Sequence, residues 1–104
     1  MNTNELLSRY AVGQRDFSGV NLMGAQLKHA NLSYANFSGA DLRGANLTGA
    51  NLSHVNLCQA TLTGANLTEA NLTRVNLTQA YLSDVNFSRA NLRGAIMPDG
   101  VTHT

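Results

Sequence analysis

Side chains able to do chemistry are few in this sequence, and three of them share a spacing of twenty residues: Tyr34, His54 and Arg74. If the chain coils with that period, the three lie one above another on an outer wall, with Arg93 close by on the next coil. A phenol, an imidazole and a guanidinium in a row can stack on one another or on a flat ligand. We therefore predict a possible interaction surface here, and the alternative is a surface column without a function.

Neither catalysis nor metal binding is predicted from the remaining candidates. His29 and His54 fall on different sides of such a coil, and no second type of metal ligand clusters with either. The serines repeat along the surface and leave no cleft in which a base could activate a nucleophile. Cys58 occupies a position that other units fill mostly with serine or threonine, which indicates a small substitute rather than a reactive thiol. We therefore expect a protein that is not an enzyme and that binds neither a cofactor nor a metal ion.

The composition bounds the class of protein. The chain has 104 residues, of which 12% are charged, with a formal net charge of +1. This length predicts one domain, and the scattered charges argue against direct binding of nucleic acid. No apolar run is long enough to cross a bilayer, and the first residues lack a secretory signal. We therefore expect a cytoplasmic location and no membrane partner.

A five-residue repeat organises almost the whole chain. Leucine or phenylalanine occupies every fifth position from Phe17 to Leu92, sixteen times in succession, and Met97 extends the register. Alanine or valine stands two residues earlier, except at Arg15, and asparagine usually stands one residue earlier. A period of five fits neither an α-helix nor a simple strand. It predicts a solenoid in which each unit forms one side, four units close a coil of about twenty residues, and four parallel coils stack.

Stacking by twenty places the large apolar residues on inner columns. One column is a core ladder of Phe17, Phe37, Leu57, Leu77 and Met97. The asparagines fall on outer columns, where their amides can bond to one another along a ladder and can also stabilise the adjacent turns. Glycine often occupies the last position of a unit, which indicates a corner.

These units, such as Ala45-Asn46-Leu47-Thr48-Gly49, closely resemble the consensus of the pentapeptide-repeat family, A-(D/N)-L-x-x. The resemblance covers about residues 15 to 97 and implies an all-β fold, a right-handed quadrilateral parallel β-helix. The chain resembles short cyanobacterial members of the family, and its two ends resemble theirs. The best understood members imitate DNA with an acidic rod and bind DNA gyrase. Here the corresponding positions mostly carry neutral asparagine.

The two ends are predicted to differ. Residues 1–14 should form a short capping helix over the first coil, with Asn2 or Asn4 at its start and Gly13 at its end. Residues 15–97 form the solenoid, and 98–104 form a turn and tail that begins at Pro98. An uncapped last coil would leave Ile96 and Met97 as a possible dimer edge, and the alternative is that the tail folds over it.

These observations predict a non-catalytic protein-interaction or scaffold module whose partner is unknown. The alternative, implied by the resemblance, is a DNA-mimicking regulator that binds gyrase or another topoisomerase. A homodimer through the C-terminal coil is a further expectation.

Overall fold

Backbone pairing at a separation of twenty residues defines the architecture. The computed structural model describes all residues from 1 to 104. Thirteen parallel β-bridges each join residues twenty positions apart, from Asp16–Asn36 to Asn76–Ile96. Each bridge is isolated, so no strand is longer than a single paired residue. The solenoid is therefore a stack of twenty-residue coils, as the repeat predicts.

A tight turn closes every unit and makes each coil four-sided. In unit 45–49, Leu47 O accepts from the N–H of Ala50 at 3.0 Å, and Gly49 between them has φ of 66°. A four-residue turn with positive φ at its third residue is a type II turn, where glycine is favoured. Nine corners carry another residue in the same conformation: His29, Tyr34, His54, Gln59, Glu69, Arg74, Gln79, Asp84 and Arg89.

All five backbone N–H groups find acceptors in an interior unit that has asparagine or aspartate before its leucine, and unit 50–54 shows the pattern. The leucine N–H and the N–H two residues later donate to carbonyls of the following coil. The asparagine N–H donates to the preceding coil, and the alanine N–H closes the turn. The fifth, that of Ser53, donates to the side chain of Asn51 at 3.1 Å. Because an unpaired buried N–H is costly, this complete pairing explains why so narrow a body is stable.

The interior is wholly apolar. All 25 buried residues are hydrophobic, and no buried side-chain nitrogen or oxygen lacks a partner. Phe17 and Phe37 stack with their ring centroids 5.4 Å apart, and Leu57 and Leu77 below them are fully buried. Met97 is half-buried, because it lies in the last and incomplete coil.

Helix α1, Thr3–Ala11, covers the N-terminal end of the stack. Asn2 is its N-cap and accepts from the N–H of Glu5 at 2.8 Å. The reciprocal bond of a capping box is absent, because the Glu5 carboxylate instead pairs with Arg9 at 2.9 Å. At the other end the N–H groups of Gly13 and Gln14 donate back into the last turn, as in a Schellman motif. With nine residues, α1 falls short of what crossing a bilayer requires.

Side chains of this N-terminal segment bond to the exposed carbonyls of the first coil. Leu6 is fully buried within the core cluster. The Tyr10 hydroxyl donates to Ser33 O at 2.8 Å, and Gln14 Nε2 donates to Asp16 O at 3.0 Å. Leu7, the next residue of the helix, is 38% exposed. The segment therefore supplies both apolar cover and donors to the open edge.

The tail folds back at the opposite end. Thr102 forms an antiparallel bridge with Ile96, and Met97 N–H donates to Val101 O. The Gly94 N–H donates to His103 O, and the His103 N–H donates to Ala95 O. Of the two alternatives for this end, the structure adopts the folded tail. The backbone at Ile96 and Met97 is thus already occupied, and the open edge lies elsewhere.

Five N–H groups of the last complete coil, at positions that donate to a following coil elsewhere in the solenoid, have no acceptor. These N–H groups belong to Leu82, Asp84, Phe87, Arg89 and Leu92. The side chains of Leu82, Phe87 and Leu92 are themselves only partly buried at this end of the core. Equivalent groups in every earlier coil donate to the coil beneath. The two ends are therefore unlike, one covered by a helix and one half open.

Candidate functional site

Tyr34 and His54 form an aromatic stack on one outer corner of the solenoid. Their ring centroids lie 4.6 Å apart and their planes differ by 6°. The stack exists because both residues occupy the same turn position on consecutive coils, which parallel pairing holds at about 4.8 Å. Since each ring covers a face of the other, the two rings are not free to sandwich a flat ligand between them. Tyr34 is nevertheless 65% exposed and presents its remaining surface to solvent.

Arg74 continues this corner, and Gly94 follows it. A Cβ atom placed on Gly94 would lie 3.2 Å from the Arg74 Cγ, so the Arg74 side chain lies across the glycine. The Arg74 N–H donates to Arg93 O at 2.9 Å, which makes the two arginines neighbours on adjacent coils. We call Tyr34, His54, Arg74 and Arg93 the corner column.

A groove opens where the corner column meets the folded tail. It measures about 480 Å³ and has no hydrophobic residue in its lining, which consists of Thr73, Arg74, Arg93, Gly94, Thr102, His103 and Thr104. It contains no acidic side chain either. The sequence predicts the two arginines at this place, but it does not bring His103 to them, because that contact depends on the tail folding back.

Backbone strain does not single this column out. Tyr34, His54 and Arg74 have φ of 65°, 59° and 58°, a region that disfavours residues with a Cβ atom. Six other corners with a non-glycine residue, and every glycine corner, have the same conformation. The strain is thus a property of the type II turn, and it marks corners rather than function.

Elsewhere on the solenoid, acidic groups are held by local bonds. Asp41 accepts from Arg43 at 2.7 Å, and this side-chain bond, with the Arg43 N–H, lowers the pKa of the Asp41 carboxyl. Hydrogen bonds from the hydroxyl and N–H of Ser18 likewise lower the pKa of Asp16. Glu69 lies 3.7 Å from Arg89 on the exposed surface. Each of these carboxylates is therefore already hydrogen-bonded to, or paired with, a neighbouring side chain.

The asparagine before each leucine has a role that the sequence suggested only as one of two possibilities. In thirteen units its Oδ1, or that of aspartate, accepts from the N–H two residues later, at 2.9–3.2 Å. The other possibility, ladders of stacked asparagine amides, is wrong. Between coils the side-chain amides bond only from Asn46 to Gln26 and from Gln59 to Gln79.

The structure gathers no cluster of metal ligands. No group of three or more His, Cys, Asp or Glu residues lies close enough to hold an ion. Cys58 is half-buried and its N–H donates to Asn56 at 2.9 Å, as serine and threonine do in other units.

Comparison with known proteins identifies the repeat. The family model described as pentapeptide repeats matches in eight copies, over residues 16–49, 25–64, 40–79 and 60–98. No curated protein matches the chain.

Solved structures of pentapeptide-repeat proteins are similar to this chain. One from Arabidopsis thaliana thylakoid lumen is 33% identical, with a TM-score of 0.51 over 89% of this chain and 72% of its own. One from the cyanobacterium Nostoc is 37% identical over 81% of this chain and 74% of its own, with a TM-score of 0.48. QnrB1, a plasmid-mediated fluoroquinolone resistance protein, is 21% identical, with a TM-score of 0.42. The match covers 79% of this chain and 47% of QnrB1, a likeness too low to support a functional argument.

Proposed function

Because the chain belongs to the pentapeptide-repeat family, we propose that it is a non-catalytic protein-interaction module with the right-handed quadrilateral β-helix of that family. Proteins of this family are generally structural or interaction modules. A cytoplasmic location stays a prediction, since the Arabidopsis relative comes from the thylakoid lumen.

The contact surface in this proposal is the corner column. The observation that carries it is the Tyr34–His54 stack beside two arginines on an otherwise regular wall. Aromatic and arginine side chains dominate binding energy in protein interfaces, because they bury large areas and still form directed polar bonds. A rigid solenoid also loses little conformational entropy on binding, which favours affinity from a small contact.

An affinity pull-down from a lysate of the source cell tests the surface. The triple variant Tyr34→Ser, His54→Ser, Arg74→Ser is compared with the intact chain. The matched control is His29→Ser, Glu69→Ser, Arg89→Ser, which changes three exposed residues at the same turn position, also with positive φ. We expect a partner that is retained by the control and lost by the first variant. A partner retained by both variants would contradict the proposed surface.

The runner-up is a regulator that imitates DNA and binds gyrase or another topoisomerase. The solenoid body has four acidic residues, Asp16, Asp41, Glu69 and Asp84, and two of them lie against arginines. So few free charges make a poor imitation of a phosphate backbone. A supercoiling assay with excess protein decides: inhibition or protection of gyrase would favour the runner-up, and no effect at high concentration would exclude it.

We also propose a homodimer through the half-open C-terminal end, at Leu82, Phe87 and Leu92 rather than at Ile96 and Met97. The five N–H groups without acceptors and the partly buried apolar side chains there would gain partners from a second copy. Three such side chains make a small interface, so association should be weak and concentration-dependent. Sedimentation analysis of the intact chain and of Phe87→Ser tests it. A monomer at all concentrations would refute the dimer.

A further inference from the structure

Two of the six arginines have a guanidinium without any acceptor. Arg9 pairs with Glu5, Arg43 with Asp41, and Arg89 lies 3.7 Å from Glu69. Arg15 donates to two backbone carbonyls and lies 3.7 Å from the Tyr10 ring centroid. The exceptions are Arg74 and Arg93, which form no side-chain hydrogen bond and no ion pair.

These two arginines line the same groove. The backbone bond between them places the side chains on adjacent coils, and both project into the space between the corner column and the tail. The tail brings His103 and the hydroxyls of Thr102 and Thr104 to the other side. Gly94 makes room for the Arg74 side chain, since a Cβ atom there would lie 3.2 Å from the Arg74 Cγ.

The two arginines, the histidine and the threonine hydroxyls of the lining are groups that can donate to an oxyanion. Two guanidinium groups present planar pairs of N–H donors suited to phosphate oxygens, and hydroxyls and an imidazole supply further donors. No acidic side chain competes for them. A single carboxylate would satisfy one guanidinium and leave the other, whereas a phosphate group can accept from both.

We infer that this groove is a binding site for a phosphate group, either free phosphate or the phosphate of a phosphorylated side chain. The inference goes beyond the proposed function, and an assay without any partner protein can test it. Failure of the pull-down would therefore leave it standing, and its own failure would leave the pull-down result unaffected.

The test is a titration of the ¹⁵N-labelled full chain with sodium phosphate, followed by the amide signals, with chloride holding the ionic strength constant. We expect saturable shifts at the amides of Gly94, Thr102 and His103, which surround the groove. Shifts that chloride alone reproduces, or that never saturate, would overturn the inference.

Single substitutions then locate the site. Arg74→Gln and Arg93→Gln should each weaken binding about tenfold or more, since each removes charge-assisted bonds to the anion. The control, Arg89→Gln, removes the same charge from a corner of the same last coil but lies outside the groove lining. Equal weakening in all three variants would show attraction by net charge alone and would refute a specific site.

A second arm distinguishes the source of the phosphate. A short peptide with one phosphoserine and neutral flanking residues is titrated beside the same peptide with serine. Tighter binding of the phosphopeptide than of free phosphate, by about tenfold, would assign the groove to a modified protein. Equal affinity would assign it to free phosphate, and binding of neither would refute the inference.

Discussion

Asn66 shows how a single side chain completes one unit of the solenoid. Its Oδ1 accepts from the Thr68 N–H at 3.0 Å and from the Thr68 hydroxyl at 2.6 Å. That N–H is the one backbone donor in the unit that neither the turn nor the neighbouring coils satisfy. The repeated Asn-x-Ser/Thr pattern is thus explained by backbone satisfaction, with no need for a surface function.

We expect Asn66→Ala to lower the free energy of unfolding by about 1–2 kcal/mol, because it removes both hydrogen bonds. The control is Asn66→Asp, which keeps the acceptor and should cost less, as Asp41 forms the equivalent bond. Urea unfolding followed by circular dichroism measures both variants. Equal losses would contradict the role of the acceptor.

The corner glycines act through the backbone alone. Gly64 has φ of 73°, and a Cβ atom added there would meet nothing within 4 Å. Gly64→Ala should therefore destabilise by about 1–2 kcal/mol from the left-handed conformation and not from crowding. Thr63→Ala, at the preceding turn position, is the control and should be nearly neutral. A stability of Gly64→Ala equal to that of the control would argue against strain at the corner.

At the scale of one coil, the elements depend on their neighbours. A unit has only one paired residue toward each adjacent coil, so no coil holds its shape alone. Its inward leucine and alanine are buried between the coils on either side. Contacts between adjacent coils therefore supply the stability, as in other repeat proteins. A substitution in a central coil weakens its contacts with both neighbouring coils.

We expect Leu57→Ala, in a central coil, to cost about 2–5 kcal/mol of unfolding free energy, because it leaves a cavity that rigid neighbours fill poorly. The matched change Leu82→Ala lies in the last complete coil, where the side chain is only half-buried, and should cost clearly less. Thermal unfolding of the two variants measures the difference. Similar melting temperatures would contradict the expectation that core residues contribute less to stability at the C-terminal end.

At the scale of the whole molecule, the two ends of the solenoid differ in how many of their backbone groups are already hydrogen-bonded. Helix α1 covers one end, and Tyr10 and Gln14 of the N-terminal segment donate to carbonyls there, which opposes growth by edge pairing. The other end keeps unpaired donors despite the folded tail. The proposed homodimer would therefore use the C-terminal end, and the proposed partner would contact the corner column.

Amide hydrogen exchange should report this asymmetry. Leu67 and Leu72 donate to the following coil at 2.8 Å, whereas Phe87 and Leu92, twenty residues later, have no acceptor. We expect slow exchange for the first pair and fast exchange for the second at low protein concentration. Slow exchange of Phe87 and Leu92 under those conditions would show an acceptor that the structure lacks. Slowing that appears only at high concentration would support the homodimer.

The sequence alone determined the coil. A strict period of five, with large apolar residues inside and polar residues outside, is compatible with only one way of burying the leucines, and the period of twenty follows from four corners. The core ladder and the Tyr34–His54–Arg74 column were predictable from spacing, because a repeat converts sequence separation directly into distance. The N-terminal helix was predictable from its apolar face and capping residues, although the sequence left Asn2 and Asn4 open as its cap.

Tertiary structure decided what spacing does not encode. The Oδ1 atoms of Asn66 and its equivalents accept from the N–H two residues later and not from an asparagine amide of the adjacent coil. That nearby N–H would otherwise have no acceptor. Likewise the tail has no repeat, so only its antiparallel pairing with residues 94–97 brings His103 to Arg74 and Arg93. That pairing creates the groove and moves the open edge to Leu82, Phe87 and Leu92, since backbone groups pair with whatever acceptor folding brings within reach.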